Sequence, residues 1–198
     1  MLRRPITALA VAAASAALLL PGSAQARYNG NLNLFVGQKW MTQSQWSPVD
    51  EQPELGLMLA FGEERISYHF SVDAYYSRDE IDQPNPAVDS RVKATSGELT
   101  IGVRKLWDLG ATRPYVGGGA SIVTVREDFD GPSGPVSYDD RAYGAYLQVG
   151  VFWRLAKHLN LGIEARFCKA DAELGASFAT RDVDAGGFHA GLLVGYGW

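Results

Sequence analysis

One cysteine, Cys168, occurs in 198 residues, so no disulfide can form within the chain. After Ala26 no apolar run is long enough to cross a bilayer as a helix. Positive charge is scarce: 18 Lys and Arg stand against 22 Asp and Glu, a formal charge of −4. That balance argues against a nucleic-acid partner. Linkers and low-complexity stretches are missing too, and the length suits one domain. No cofactor or metal site is expected. Glu127, Asp128 and Asp130 precede Gly131, but they lack the ligand spacing of an EF-hand and read as a solvated acidic loop.

What the chain does have is glycine and aromatic rings, 22 Gly with 5 Trp, 9 Tyr and 8 Phe. It also has an N-terminal leader. Arg3 and Arg4 form a basic start, Ala8 to Leu20 is apolar, and Pro21-Gly22-Ser23-Ala24-Gln25-Ala26 ends in a small-x-small pattern. This reads as a cleaved secretory signal peptide over 1–26, with no cysteine at the cleavage site to take a lipid anchor. Cleavage removes Arg3 and Arg4 and no acid, which leaves 16 basic against 22 acidic residues. A mature chain that enters a membrane without spanning helices must do so as a closed barrel, because the bilayer satisfies no backbone hydrogen bonds.

The C-terminal segment alternates strictly. Phe188, Ala190, Leu192, Val194, Tyr196 and Trp198 share one parity; Gly187, His189, Gly191, Gly195 and Gly197 share the other. A strand with a two-residue period therefore has an apolar, aromatic face and a small, polar one. Period two marks eight strands, at about 28–40, 54–63, 67–78, 96–107, 113–127, 141–155, 159–172 and 184–198. Long polar links (41–53, 79–95, 128–140, 173–183) alternate with short ones (64–66, 108–112, 156–158). Membrane barrels combine long external loops with short periplasmic turns in this way. The expected fold is all-β: an eight-stranded, antiparallel, up-and-down transmembrane barrel over 27–198.

These features resemble the small outer-membrane barrels of Gram-negative bacteria. The final strand ending on Trp198 and the stretch Pro114-Tyr115-Val116-Gly117-Gly118-Gly119 are similar to OmpA-type barrel domains. The resemblance implies an outer-membrane location and contact with outer-membrane lipid and lipopolysaccharide. It implies that Leu192, Val194, Tyr196 and Trp198 are read by the barrel-assembly machinery. It also implies a monomer. The OmpA family proper adds a peptidoglycan-binding domain after the barrel; here none is expected after Trp198, so that tethering role is not carried over.

Parity assigns the two faces. Val72, Val103, Val149 and Ile163 point outward; Asp73, Arg104, Gln148 and Glu164 point inward. Strand 5 stays ambiguous, since Gly117, Gly118 and Gly119 blur the alternation. The inward charges Asp73, Glu98, Arg104, Arg154, Glu164 and Arg166 carry both signs. An eight-stranded interior is just wide enough for side chains to fill. The expected function is therefore a non-enzymatic barrel with a plugged, ion-paired lumen and a structural or surface role. A narrow ion or solute path is the first alternative. The second is a lipid A-modifying acyl hydrolase or transferase, since His69, Ser71 and Asp73 share one face. Such deacylases carry a His-x-Ser pair on a late strand, and the matching stretch, Arg166 to Asp171, lacks it. Cys168 shares the inward parity and reads as an inert small residue.

Overall fold

The computed structural model describes residues 28–42, 46–47, 49–85, 88–131, 134–176 and 179–198. The leader expected over 1–26 lies outside them. The strands are β1 (Tyr28–Trp40), β2 (Glu51–Glu63), β3 (Tyr68–Asn85), β4 (Val88–Leu106), β5 (Thr112–Gly131), β6 (Gly134–Arg154), β7 (Leu159–Ala176), β8 (Ala179–Asp184) and β9 (Gly187–Gly197). Neighbours in sequence pair antiparallel, β6 pairs β7, and β9 pairs β1, so the sheet closes. β8 and β9 form one interrupted eighth strand. Both pair β7 in one register, Asp171↔Asp184 and Cys168↔Gly187.

The registers fix the shape. From Glu51 the paired residues run Trp40, Phe188, Phe167, Leu147, Gly118, Val103, Phe70 and Phe61. One circuit thus returns to β2 ten residues below its start. A stagger of this size tilts eight strands by roughly 40°. Tyr28 and Trp40, twelve residues apart on β1, are then about 30 Å apart along the axis. Exposed rings mark both ends of that span. Trp40, Tyr76, Tyr143 and Phe188 lie at one end; Tyr28, Tyr68, Trp107, Trp153, Tyr196 and Trp198 lie at the other. Between them the outer wall carries Leu34, Val36, Leu57, Ile101, Val149, Ile163, Leu192 and Val194, all exposed. Such a wall matches the apolar band of a membrane barrel, about 25 Å tall. Lys105, the outward cation near the lower rings, packs its ammonium over Tyr68 and Trp107 at 5.5 and 5.1 Å. Strand 5 is unambiguous in the structure: Tyr115, Ser121 and Val123 are buried inside, and Val116 and Ile122 face out.

The expected polar links 79–95, 128–140 and 173–183 need correction, because they are mostly strand. β3 and β4 pair up to Asn85↔Val88, β5 and β6 up to Gly131↔Gly134, and β7 and β8 up to Ala176↔Ala179. The hairpins therefore continue past the apolar belt. Beyond that belt the outer face turns polar, with Arg78, Glu80 and Arg126, while Val92 and Ala94 pack inside against Val49, so the apolar-out alternation stops while the backbone ladder goes on. The ladder depends on N–H and C=O groups, which the side-chain pattern does not report.

The eighth strand breaks at Ala185–Gly186 for a visible reason. The Asp184 carboxylate accepts from the Gly186 and Ala170 amides at 2.9 and 3.2 Å. The carbonyls of Asp184 and Ala185 turn inward, where the Trp46 indole N–H donates to the first at 2.9 Å and Lys39 Nζ to the second at 3.0 Å. Gly187 follows with φ of 143°, a value open to glycine. Trp46, from the β1–β2 connection, is thereby buried in the upper mouth among Met41, Val123, Val125, Ala142 and Tyr146.

Candidate functional site

The polar lumen gathers on alternate residues of β1, β2, β3, β4, β6, β7 and β9, because the other parity is taken by the apolar wall. Its centre is Arg166, whose guanidinium is almost fully buried. It donates to Glu98 at 2.8 and 3.4 Å, lies 3.7 Å from Glu54, and stacks 3.6 Å above the Tyr75 ring. His189 Nδ1 is 2.8 Å from Glu54 Oε2. Lys39 donates to Ser96 Oγ at 2.9 Å. Below this group, Arg104 pairs with Asp73 at 2.9 Å and lies 4.9 Å from the Tyr115 ring centre. With its amide oxygen turned inward, Gln148 accepts from Arg104 Nε at 3.0 Å. Glu164 accepts from the Tyr75 and Tyr115 hydroxyls at 3.1 and 2.5 Å.

Buried ions need this density of partners, since desolvation otherwise exceeds their attraction. Four carboxylates (Glu54, Asp73, Glu98, Glu164) face Lys39, Arg104, Arg166 and the imidazole of His189, and all eight are buried. Planar guanidiniums over tyrosine rings add cation–π attraction in a dry setting. The rings need room, and a glycine supplies it: a Cβ on Gly150 would lie 2.5 Å from the Tyr115 ring carbon that bears the hydroxyl. Phe35, Met58, Leu106, Phe152 and Leu193 fill the lower lumen around these tyrosines.

Five of the six expected lumen charges thus lie in connected contacts. The sixth, Arg154, does not join them. It sits at the terminal end of the barrel beside Asn160 and Gly197, and its buried Nε has no hydrogen-bond partner among the described residues. Parity reports a face but no height, so the sequence does not distinguish Arg154 from Arg104. Glu54 and His189 are network members that the sequence reading misses. Their parity, opposite to Leu55 and to Phe188, is the available signal.

His69, Ser71 and Asp73 share the inner face yet take separate partners. His69 contacts Asn29, Ser71 Oγ is 3.4 Å from the Tyr146 hydroxyl, and Asp73 holds Arg104. No nucleophile–base hydrogen bond links His69 to Ser71 among the described residues, so the geometry lacks the pairing that acyl chemistry uses. Glu127 and Asp128 face opposite sides: Glu127 is buried, while Asp128 accepts from Arg126 and Ser137 at 2.8 and 2.6 Å on the exposed side. Cys168 is buried, 3.2 Å from Ser121 Oγ. Leu192, Val194, Tyr196 and Trp198 are exposed on the outer wall, and the first three pair with Val36, Leu34 and Leu32 across the closing seam.

The family model described as outer membrane protein beta-barrel domain matches residues 6–196. Among solved structures, the outer membrane protein OprG from Pseudomonas aeruginosa is similar with a TM-score of 0.58 at 15% identity, over 86% of this chain and 94% of that one. Ail, the attachment invasion locus protein of Yersinia pestis, crystallised with the heparin analogue sucrose octasulfate, gives a TM-score of 0.60 at 9% identity, over 87% and 99%. A major outer membrane protein from Thermus thermophilus gives 0.51 at 8% identity, over 86% and 98%. At these identities the likeness concerns the fold. No curated protein sequence matches the chain.

Proposed function

Because the chain belongs to the outer membrane protein beta-barrel domain family, we propose that it is a non-catalytic barrel with a plugged lumen and a structural or surface-presenting role in the outer membrane. The observation that carries this reading is the filled interior. Trp46, Arg104, Arg166, Tyr115, Phe35, Lys39, Phe152, Met58, Leu193 and His189 are each under 2% exposed. Apolar side chains close the mouth above the charged network and fill the lumen around its lower part. The paired strands beyond the upper rings form a rim on which a partner can be met.

Export and assembly belong to the same reading. Residues 1–26 act as the leader, Leu192, Val194, Tyr196 and Trp198 address the assembly machinery, and the mature barrel works as a monomer. The mature protein should begin at Arg27 by N-terminal sequencing and fractionate with outer membranes. Its migration in detergent gels should change on heating. Recovery as a detergent-independent periplasmic protein would defeat the reading.

The single cysteine reports directly on lumen water. Cys168 faces inward, is fully buried, and contacts Ser121. In reconstituted vesicles a small charged thiol reagent should leave Cys168 unmodified and label it fully after denaturation. Rapid stoichiometric labelling of the folded barrel would mean an open, wet lumen and would favour a solute path.

A further inference from the structure

The outer wall changes chemistry abruptly above the upper ring of aromatics on β3–β6. Successive paired rows read Ala74–Leu99–Ile122–Tyr143, then Tyr76–Gly97–Thr124–Arg141, then Arg78–Thr95–Arg126–Asp139. Arg78, Ile122, Thr124, Arg126, Arg141 and Tyr143 are all exposed on this wall. Arg78 and Arg126 are separated by one strand, about 10 Å. Arg126 and Arg141 are diagonal neighbours on adjacent strands, about 7–8 Å apart. The floor between them is small and polar: Thr95, Gly97 and Thr124, whose hydroxyl donates to the Gly97 carbonyl at 3.2 Å.

Three exposed arginines therefore border a small polar floor, with apolar and aromatic residues in the row directly below. We propose that Arg78, Arg126 and Arg141 seat the phosphorylated sugar headgroup of an outer-leaflet glycolipid, with its acyl chains lying along Leu99, Ile122 and Tyr143. The proposal rests on the outer-membrane orientation argued above, in which the long hairpins are external. Guanidinium groups match phosphate oxygens as paired, charge-assisted donors. A soluble polyanion would use the arginines and leave the apolar strip below them bare, whereas an amphiphile covers both.

The cluster's own carboxylates do not close the seat. Arg78 bonds Glu80 and Arg126 bonds Asp128, and the arginine side chains in both pairs remain about half exposed. Exposed pairs of this kind contribute little to stability, so a phosphate can displace them. Asp139, opposite Arg126, adds a negative neighbour. Arg141 has no ion-pair partner among the described residues and supplies the uncommitted charge.

The test uses the refolded mature barrel, purified lipid A with its phosphates intact, and the same lipid dephosphorylated. Retention is read by native mass spectrometry. Wild type should retain the phosphorylated lipid, and both dephosphorylation and the triple change Arg78→Gln, Arg126→Gln, Arg141→Gln should weaken retention by about tenfold or more. Millimolar inorganic phosphate should not displace the lipid. Equal retention of the dephosphorylated lipid, or equal retention by the triple variant, would overturn the seat. So would displacement by free phosphate. The substituted side chains are exposed, so heat-modifiable migration should persist in the variant. Its absence in wild type would instead count against the barrel itself, which separates the two failures.

Discussion

Replacing Arg166 by alanine should cost the barrel about 3–5 kcal/mol, the usual penalty for removing one partner of a buried ion pair. Its guanidinium bonds Glu98 at 2.8 Å, lies 3.7 Å from Glu54 and covers the Tyr75 ring. Truncation strands two buried carboxylates and opens a cavity beside Tyr75. The paired change Glu98→Leu with Arg166→Met should cost less than the sum of the single changes, because it leaves no uncompensated partner between those two residues. Residues in one network typically show coupling of about 0.5–3 kcal/mol. Urea unfolding in lipid vesicles, followed by the folded fraction on unheated gels, measures both. Additive costs, or an Arg166→Ala barrel as stable as wild type, would show that the network is not a closed, buried unit.

The second large effect is on the opposite face. Ile163 is exposed on the outer wall, paired with Val151 on β6 and Leu192 on β9. The registers put it near the middle of the apolar belt. Arginine there should cost about 2–4 kcal/mol, the usual penalty for a cation at the bilayer midplane. Its inward neighbour on β7 is Glu164. A change to glutamine there keeps one acceptor oxygen, and its amide N–H can donate to the other tyrosine hydroxyl, so it should cost less. Equal tolerance of Ile163→Arg and Ile163→Ala in vesicles would place that face away from lipid.

Much of this is legible in the sequence because lipid and lumen impose opposite chemistry on alternate residues. Val72, Val103, Val149 and Ile163 sit outside in the structure, and Asp73, Arg104, Gln148 and Glu164 sit inside. What alternation does not carry is height. Arg154 shares the parity of Gln148 yet sits far down β6, near the terminal end, away from the network. Glu54 and Glu98 meet through Arg166 on a third strand, a contact that depends on the ten-residue stagger of the sheet. Nothing local in the sequence states that stagger. The hairpins beyond Tyr76 and Tyr143 read as loops, since the outer face meets water there and the apolar-out pattern ends, although Val92 and Ala94 stay buried inside. Trp46 lies in a polar link, and its burial depends on the inward carbonyl of Asp184, far away in sequence.

The central claim is that the lumen is filled by paired charges between apolar side chains. Single-channel recording of the refolded wild-type barrel in a planar bilayer tests it most directly. The filled interior predicts a closed baseline, with at most rare, brief openings. Steady, ion-selective conductance through wild type, altered in selectivity by Glu164→Gln, would contradict it and make the barrel a channel.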